Sequence, residues 1–289
     1  MKRKIKRAVA TGMSLAMGTV IMTSDVMVSP VMASQINGEK PYAVELYAAS
    51  NASYNGLYYS TSGSYATITG YDGQSTDIVI PDKIGSYTVN AIQYGAFKDN
   101  NKITSVKIPS TVTQIGNSYG SGAFENCANL KSVSIAAGAE TAYIGNATFK
   151  DCTSLEEITV PGNYTTIYSD AFRGCRSLKK FVYNDNGISR KIQNRAFYEC
   201  TSLVSLSLPT SLNSIGDEAF SGCSSLTAVD IPEGVKLIEY GVFNNCKLLK
   251  KVVIPSTIQR IGNSYNTGAF QNCTSLSTVT IKEGTQAAT

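Results

Sequence analysis

The chain contains no histidine. That removes Ser-His-acid and Cys-His catalytic arrangements, and histidine-based metal sites with them. No glycine-rich loop follows a strand and opens a helix, so nucleotide binding has no support. Charge of one sign is missing as well. Five of the 25 basic and one of the 21 acidic residues fall in the first 33 positions, leaving 20 of each in residues 34–289. The net charge of +4 therefore belongs to the leader, and nothing points to a nucleic-acid partner or an anionic membrane. Methionine is absent after Met32, and no apolar run beyond the leader is long enough to span a bilayer.

The leader itself is informative. Lys2, Arg3, Lys4, Lys6 and Arg7 precede a mostly apolar run from Ala8 to Met22 and a small-residue site at Val31-Met32-Ala33. This order reads as an export signal peptide over 1–33, with cleavage expected after Ala33. The mature chain is accordingly expected to be secreted or extracellular, and to be retained at the cell surface only by means that the sequence does not reveal. Residues 34–55 are polar and read as a linker or loosely ordered start. Nine of the 17 tyrosines lie between Tyr42 and Tyr94, and short strand-like runs separated by Ser-Gly and Asp-Gly pairs fill 56–96. A tyrosine-rich N-terminal cap is expected there, because the first layer of a repeat array needs an atypical unit to cover it.

From Phe97 onward one sentence repeats. Its register is given by Phe97, Phe124, Phe149, Phe172, Phe197, Phe220, Phe243 and Phe270, at spacings of 27, 25, 23, 25, 23, 23 and 27 residues. Three positions after each Phe stands Cys (Cys127, Cys152, Cys175, Cys200, Cys223, Cys246, Cys273), with Asn100 in the first unit. Then follow Leu or Ile and an apolar pair two residues apart, such as Val106/Ile108, Phe181/Tyr183, Leu206/Leu208 or Val252/Ile254. A spacing of two puts both members on one strand face. A period in the twenties with fixed apolar offsets is the mark of a solenoid. The expected fold is a β-rich right-handed coil over 97–281 with a parallel sheet on one face, short helical or 3₁₀ turns on the other, and a short tail at 282–289.

The pattern L-x-x-V-x-I-P-x-x-V-x-x-I-G-x-x-A-F-x-x-C-x-S-L resembles the BspA-like leucine-rich repeat of secreted and surface proteins. The resemblance covers about residues 77–281. It implies a curved right-handed leucine-rich-repeat solenoid and, for some members, adhesion to host matrix proteins or other cells. The chain departs from it at Ala136-Ala137 and Asn184-Asp185, where proline is missing and two residues are added, so irregular turns are expected there.

The residues that could carry chemistry divide into core and surface. The Phe and Cys columns read as core ladders. The cysteine count is odd and neighbours in a column point the same way, so buried free thiols are favoured over disulfides. A line of thiols does not converge on a metal, and no cofactor is implied. The strand face presents Glu157, Lys180, Asp230 and Lys251 among residues half of which are Ser or Thr. Two matching insertions, Asn117-Ser118-Tyr119-Gly120-Ser121-Gly122 and Asn263-Ser264-Tyr265-Asn266-Thr267-Gly268, lengthen the same connection by four residues. Tyrosine amid Asn, Ser and Gly is the composition of an antibody paratope. The loops are either binding loops or an insertion copied when a block of repeats was duplicated. The leading functional expectation is a non-enzymatic module that binds a host matrix or cell-surface protein or glycan through Tyr119, Tyr265, Asn117 and Asn263 and the strand face. A structural spacer is the alternative and an enzyme a distant third. After Ile281 too little chain follows to cap the last layer, so either self-association through that edge or an incomplete gene product is expected.

Overall fold

The structure is a computed structural model that describes residues 52–262 and 268–284. The leader, the first part of the expected linker and the second tyrosine loop, including Asn263 and Tyr265, lie outside the described residues.

The chain winds as a solenoid with three faces. In the cap, β1 (Ala52–Tyr54), β2 (Leu57–Ser62) and β3 (Tyr65–Tyr71) form an antiparallel meander. β4 (Asp77–Val79), β5 (Lys83–Ile84) and β6 (Tyr87–Ile92) follow. Each repeat then adds two strands. On one face lie β7 (Ser105–Ile108), β9 (Ser132–Ile135), β11 (Glu157–Val160), β13 (Lys180–Tyr183), β15 (Ser205–Ser207), β17 (Ala228–Asp230), β19 (Lys251–Ile254) and β21 (Thr278–Ile281). On a second face lie β8 (Gln114–Ile115), β10 (Ala142–Ile144), β12 (Tyr164–Ile167), β14 (Arg190–Ile192), β16 (Leu212–Ile215), β18 (Leu237–Ile238) and β20 (Arg260–Ile261).

The first ladder runs in parallel from β4 to β15 and the second from β3 through β6 to β16, so the cap is continuous with the array. Among the described residues both ladders then stop, and β17-β19-β21 and β18-β20 form separate sheets. The stop falls at the pair Leu206/Leu208, which is only half-buried where the other repeats before the last one bury at least one member fully. It is also the one pair of two leucines, and leucine fits a pleated strand less well than Val or Ile.

The third face carries the Phe-x-x-Cys turns. The expected helical or 3₁₀ turns are not present among the described residues, and the reason is a left-handed residue two positions after each Phe. Asp99, Asn126, Asp151, Glu199, Asn245 and Asn272 all have φ between 57° and 61°, and Gly174 and Gly222 take that place in the other two units. The αL residue halts a helix after one hydrogen-bonded turn. It also turns the backbone N–H along the array. Ala147, Phe149 and Asp151 donate to the carbonyls of Ser169, Ala171 and Arg173 in the next turn, at 2.9, 2.7 and 2.7 Å. The same pattern crosses the point where both strand ladders stop, with Phe197 donating to Ala219 (2.7 Å) and Glu199 to Ser221 (2.8 Å).

Inside this face the eight Phe rings stack in one column, with centroids 4.7–5.6 Å apart and planes within 17° of parallel. All seven cysteines are buried free thiols, and each Sγ donates to the carbonyl of the preceding repeat's Phe at 3.1–3.3 Å. Asn100, in the thiol's place, does the reverse: its Oδ1 accepts from the N–H groups of Lys102 and Ile103 (2.9 and 3.3 Å). Burial pushes the Cys127 thiol up to about 12, and the thiols of Cys152, Cys175, Cys200 and Cys223 well above their usual value.

The irregular turn at Asn184-Asp185 is organised by Arg190, whose side chain is fully buried in a core that is otherwise almost wholly apolar. Its guanidinium bonds Asp185 (3.0 Å), Asn186, Ser211 and the carbonyl of Gly162, and lies 5.5 Å from the Tyr183 ring. Tyr183 donates to the carbonyl of Tyr164 (2.7 Å), and Tyr164 to that of Val112 (3.0 Å). This polar layer replaces the proline that closes most of the other turns.

Candidate functional site

The insertion Asn117–Gly122 leaves the second ladder at the end of β8 and returns to the Phe column at Phe124. Its shape is set locally and by the neighbouring turns. The Tyr119 N–H donates to Asn117 Oδ1 (3.2 Å), an Asx turn. Asn146 of the next repeat donates its backbone N–H to the Asn117 carbonyl (2.6 Å) and its side-chain amide to the Gly120 carbonyl (3.1 Å). Gly122 lies so close to that repeat that a Cβ would sit 1.6 Å from the Ala147 carbonyl oxygen. Lys98, from the repeat before, reaches the Ser121 hydroxyl at 3.2 Å. The loop is thus clamped on both sides, while Tyr119 stands 74% exposed.

Three further tyrosines lie near the loop. Tyr143 lies on β10 and Tyr168 directly after β12, their rings 5.4 Å apart and edge-on. Tyr94 lies against Gly120 and is about half exposed. Burial first, and then the phenols of Tyr168 and Tyr119, hold the Tyr143 phenol above its ordinary value. Tyr143 and Tyr168 were not among the residues singled out from the sequence, because the connection that carries them does not read as a strand.

Behind the loop is an open cleft of about 300 Å³, lined by Lys98, Glu125, Asn146, Lys150, Asp170 and Arg173 together with backbone of the loop. Glu125 takes Lys98 and Lys150 at 3.1 and 2.9 Å and the Gly122 N–H at 3.3 Å, and Arg173 contacts Asp170 at 3.4 Å. Burial raises the Glu125 carboxyl, but the lysines beside it more than offset this, so it lies below its usual value and stays ionised.

The strand-face residues are also placed. Glu157 and Lys180 are exposed partners in register on β11 and β13. Lys251 is exposed between Ala228 and Thr278, and Asp230 accepts Lys282 at 2.9 Å. They form two separate patches, because the ladder stops between β15 and β17. Glu156, sequence neighbour of Glu157, is paired to Lys179 at 3.1 Å. Among the described residues no three Cys, Asp or Glu side chains are placed to hold a metal ion. β21 pairs with β19 on one side, and its Val279 and Ile281 are 55% and 64% exposed.

A parallel β-solenoid with this repeat belongs to the leucine-rich repeat class. The pattern of the BspA type Leucine rich repeat region matches residues 71–190 and 190–288 in six copies, and the chain belongs to that family. Among solved structures it is similar to a Treponema pallidum leucine-rich repeat protein, at 24% identity and a TM-score of 0.55 over 78% of this chain and 91% of that one. A Bacteroides ovatus leucine-rich repeat protein matches at 25% identity and a TM-score of 0.41, over 81% of this chain and 71% of that one. A leucine rich cell surface protein from Faecalibacterium prausnitzii matches at 21% and 0.31, over 81% and 95%. No match was found among curated proteins.

Proposed function

We propose that the chain is a non-enzymatic binding module that works outside the cytoplasm, on the cell surface or released from it, and recognises a protein or glycan through the loop Asn117–Gly122. The single observation that carries this reading is Tyr119, a largely exposed aromatic side chain on a loop clamped by both neighbouring turns and flanked by Tyr94, Tyr143 and Tyr168. Rigid tyrosine contact surface loses little entropy on binding. The order of the leader residues supports export. Membership of a repeat family whose solenoids serve as binding or scaffold modules supports the rest.

The test is binding of residues 34–289 to immobilised matrix proteins and cell-surface glycans, with Tyr119→Ala as the comparison. The expected result is a loss of about tenfold or more with an unchanged melting temperature. Binding that survives Tyr119→Ala but is lost on reversing Lys251 and Lys180 moves the contact to the strand face and removes the loop from it. The exposed Val279 and Ile281 favour a second reading, a scaffold that associates through β21, which the same samples report by light scattering.

A further inference from the structure

The cleft behind the tyrosine loop has an unusual lining for a protein-binding pocket. Five of its side chains are charged, three positive and two negative, and a sixth is an amide. Alanine at 147 supplies its one apolar side chain, so an aliphatic or aromatic anchor from a protein partner would lose water there without gaining an apolar floor. A ligand carrying many hydroxyls meets the opposite situation. Carboxylates such as Asp170 accept from hydroxyls, while Lys150 and Arg173 donate to hydroxyl oxygens as cations and the Asn146 amide donates as a neutral group. The volume, about 300 Å³, stands at the small end of ligand sites and suits a sugar ring rather than a folded segment.

The rim supplies what the lining lacks. A sugar has one face of C–H groups, which packs on the face of an aromatic ring as other apolar surfaces do. The tyrosines are placed for this because one loop serves both features. Gly120 lines the cleft and a Cβ placed on it would lie 4.0 Å from the Tyr94 ring, Asn146 lines the cleft and bonds Gly120, and Tyr168 is two residues from Asp170. The clamp also fixes the cleft in advance: Glu125 is held by Lys98, Lys150 and the Gly122 N–H, so its charge organises the loop and is not left to find a partner on the ligand.

We infer that this cleft is a saccharide-binding site, with the C–H face of a terminal sugar ring against the tyrosines and its hydroxyls on Asn146, Lys150, Asp170 and Arg173. The inference rests on the reading of the loop as the contact surface and narrows its ligand to one class.

The chain has no tryptophan, so its emission comes from its 17 tyrosines, and the part of a ligand-induced change that Tyr119→Ala removes reports the site. The probe is a panel of free saccharides (neutral hexoses, N-acetylhexosamines and uronic acids) titrated into residues 34–289, alongside an array of printed oligosaccharides. Saturable binding of at least one sugar is expected, weakened about tenfold or more by Tyr119→Ala with melting unchanged, and weakened also by Asn146→Ala, which removes both a lining donor and a clamp on Gly120. Asp170→Asn and Arg173→Gln, which alter hydrogen bonding outside the Glu125 clamp, should shift which sugar of the panel is preferred. If no sugar binds and a matrix protein does, in a manner lost with Tyr119→Ala, the saccharide site is overturned while the loop reading stands. If sugars bind and neither Tyr119→Ala nor Asn146→Ala weakens them, both are overturned.

Discussion

The two strand faces and the Phe-Cys face of this solenoid behave differently at one place, the passage from β15 and β16 to β17 and β18. On the strand faces both parallel ladders stop there. On the Phe-Cys face nothing changes: Phe197 stacks on Phe220 at 5.1 Å, Cys223 reaches the Phe197 carbonyl at 3.3 Å, and the turn amides continue to the next turn. The lesson is that continuity along the array is not a property of its β-sheets. It is carried by stacked rings, thiols and the aligned N–H groups that the αL residues produce. A repeat protein's stability is a sum of units and of the interfaces between them, and here one interface has lost the strand pairing on two of its three faces.

The largest effect should come from breaking the face that remains. Phe124→Ala and Phe220→Ala each delete a fully buried ring stacked between two others, and each should cost about 3–5 kcal/mol. Their consequences should differ in kind. Phe124 sits among intact ladders, so its loss lowers one cooperative transition. Loss of Phe220 removes the ring that stacks across the interrupted junction and leaves the last three units tied to the rest by turn amides, a thiol and core packing. Denaturant unfolding followed by hydrogen exchange should then resolve two transitions, with the residues after Ala228 exchanging first. Equal, single transitions for both variants would show that the interface is no weaker than its neighbours.

A smaller effect tests what holds the block before the interruption. In most turns the strand ends at proline, whereas here Arg190, Asp185 and Ser211 take over. Asp185 is held well below the usual carboxylate range, chiefly by the Thr210 hydroxyl, against desolvation, which raises it, and with further lowering from Ser211 and the Gly187 N–H. A carboxyl whose folded value is depressed contributes stability above its unfolded value, about 4, and loses that contribution as pH falls towards the folded one. Asp185→Asn should therefore cost about 1–2 kcal/mol at neutral pH, by weakening the hydrogen bonds of a carboxylate that is itself exposed to solvent. It should also flatten the decline in stability below pH ~4. Thermal melting from pH 7 to pH 2 reads both. Arg190→Met, which removes the buried charge but leaves its acceptors without a donor, should cost more at neutral pH than Asp185→Asn.

How much of this was legible follows from spacing. Apolar residues two apart identify β7 to β21, and the Phe and Cys columns are identified by their fixed period. The second ladder is different. Its inward residues, Val112/Ile115, Leu212/Ile215 and Val235/Ile238, are three apart, which is no strand period. They share a face because the ladder slips by one residue, as between Ala142/Tyr143 on β10 and Tyr164/Thr166 on β12. Without that bulge in view, Tyr143 and Tyr168 read as connection, and so half of the tyrosine cluster stayed hidden. The αL turns did leave a mark, since every position two after a column Phe is Asp, Asn, Glu or Gly. Glutamate at 199 is not an αL-favouring residue, and that broke the pattern. Arg190 left none, because a buried arginine is identified by acceptors from Gly162, Asn186 and Ser211, gathered from three separate turns.

The smallest effect expected is one of rate rather than stability, and it asks whether the Phe-Cys face is as continuous in motion as in structure. Thiol labelling goes through the thiolate, and the interior thiols are held far above their ordinary values by burial. Labelling of the native protein must then wait for local opening. Cys273, 9% exposed at the last column position, should react first. Cys200 and Cys223 flank the place where the ladders stop, yet they are as buried as Cys152, and the ring stack and turn amides run past them unbroken. If the strand faces part while the column holds, the three should be protected alike, and hydrogen exchange should find fast amides only on the strand side of the junction. If Cys200 and Cys223 react well ahead of Cys152, the column opens with the ladders and the array divides there on all three faces. Mass spectrometry of a timed alkylation separates the two outcomes residue by residue.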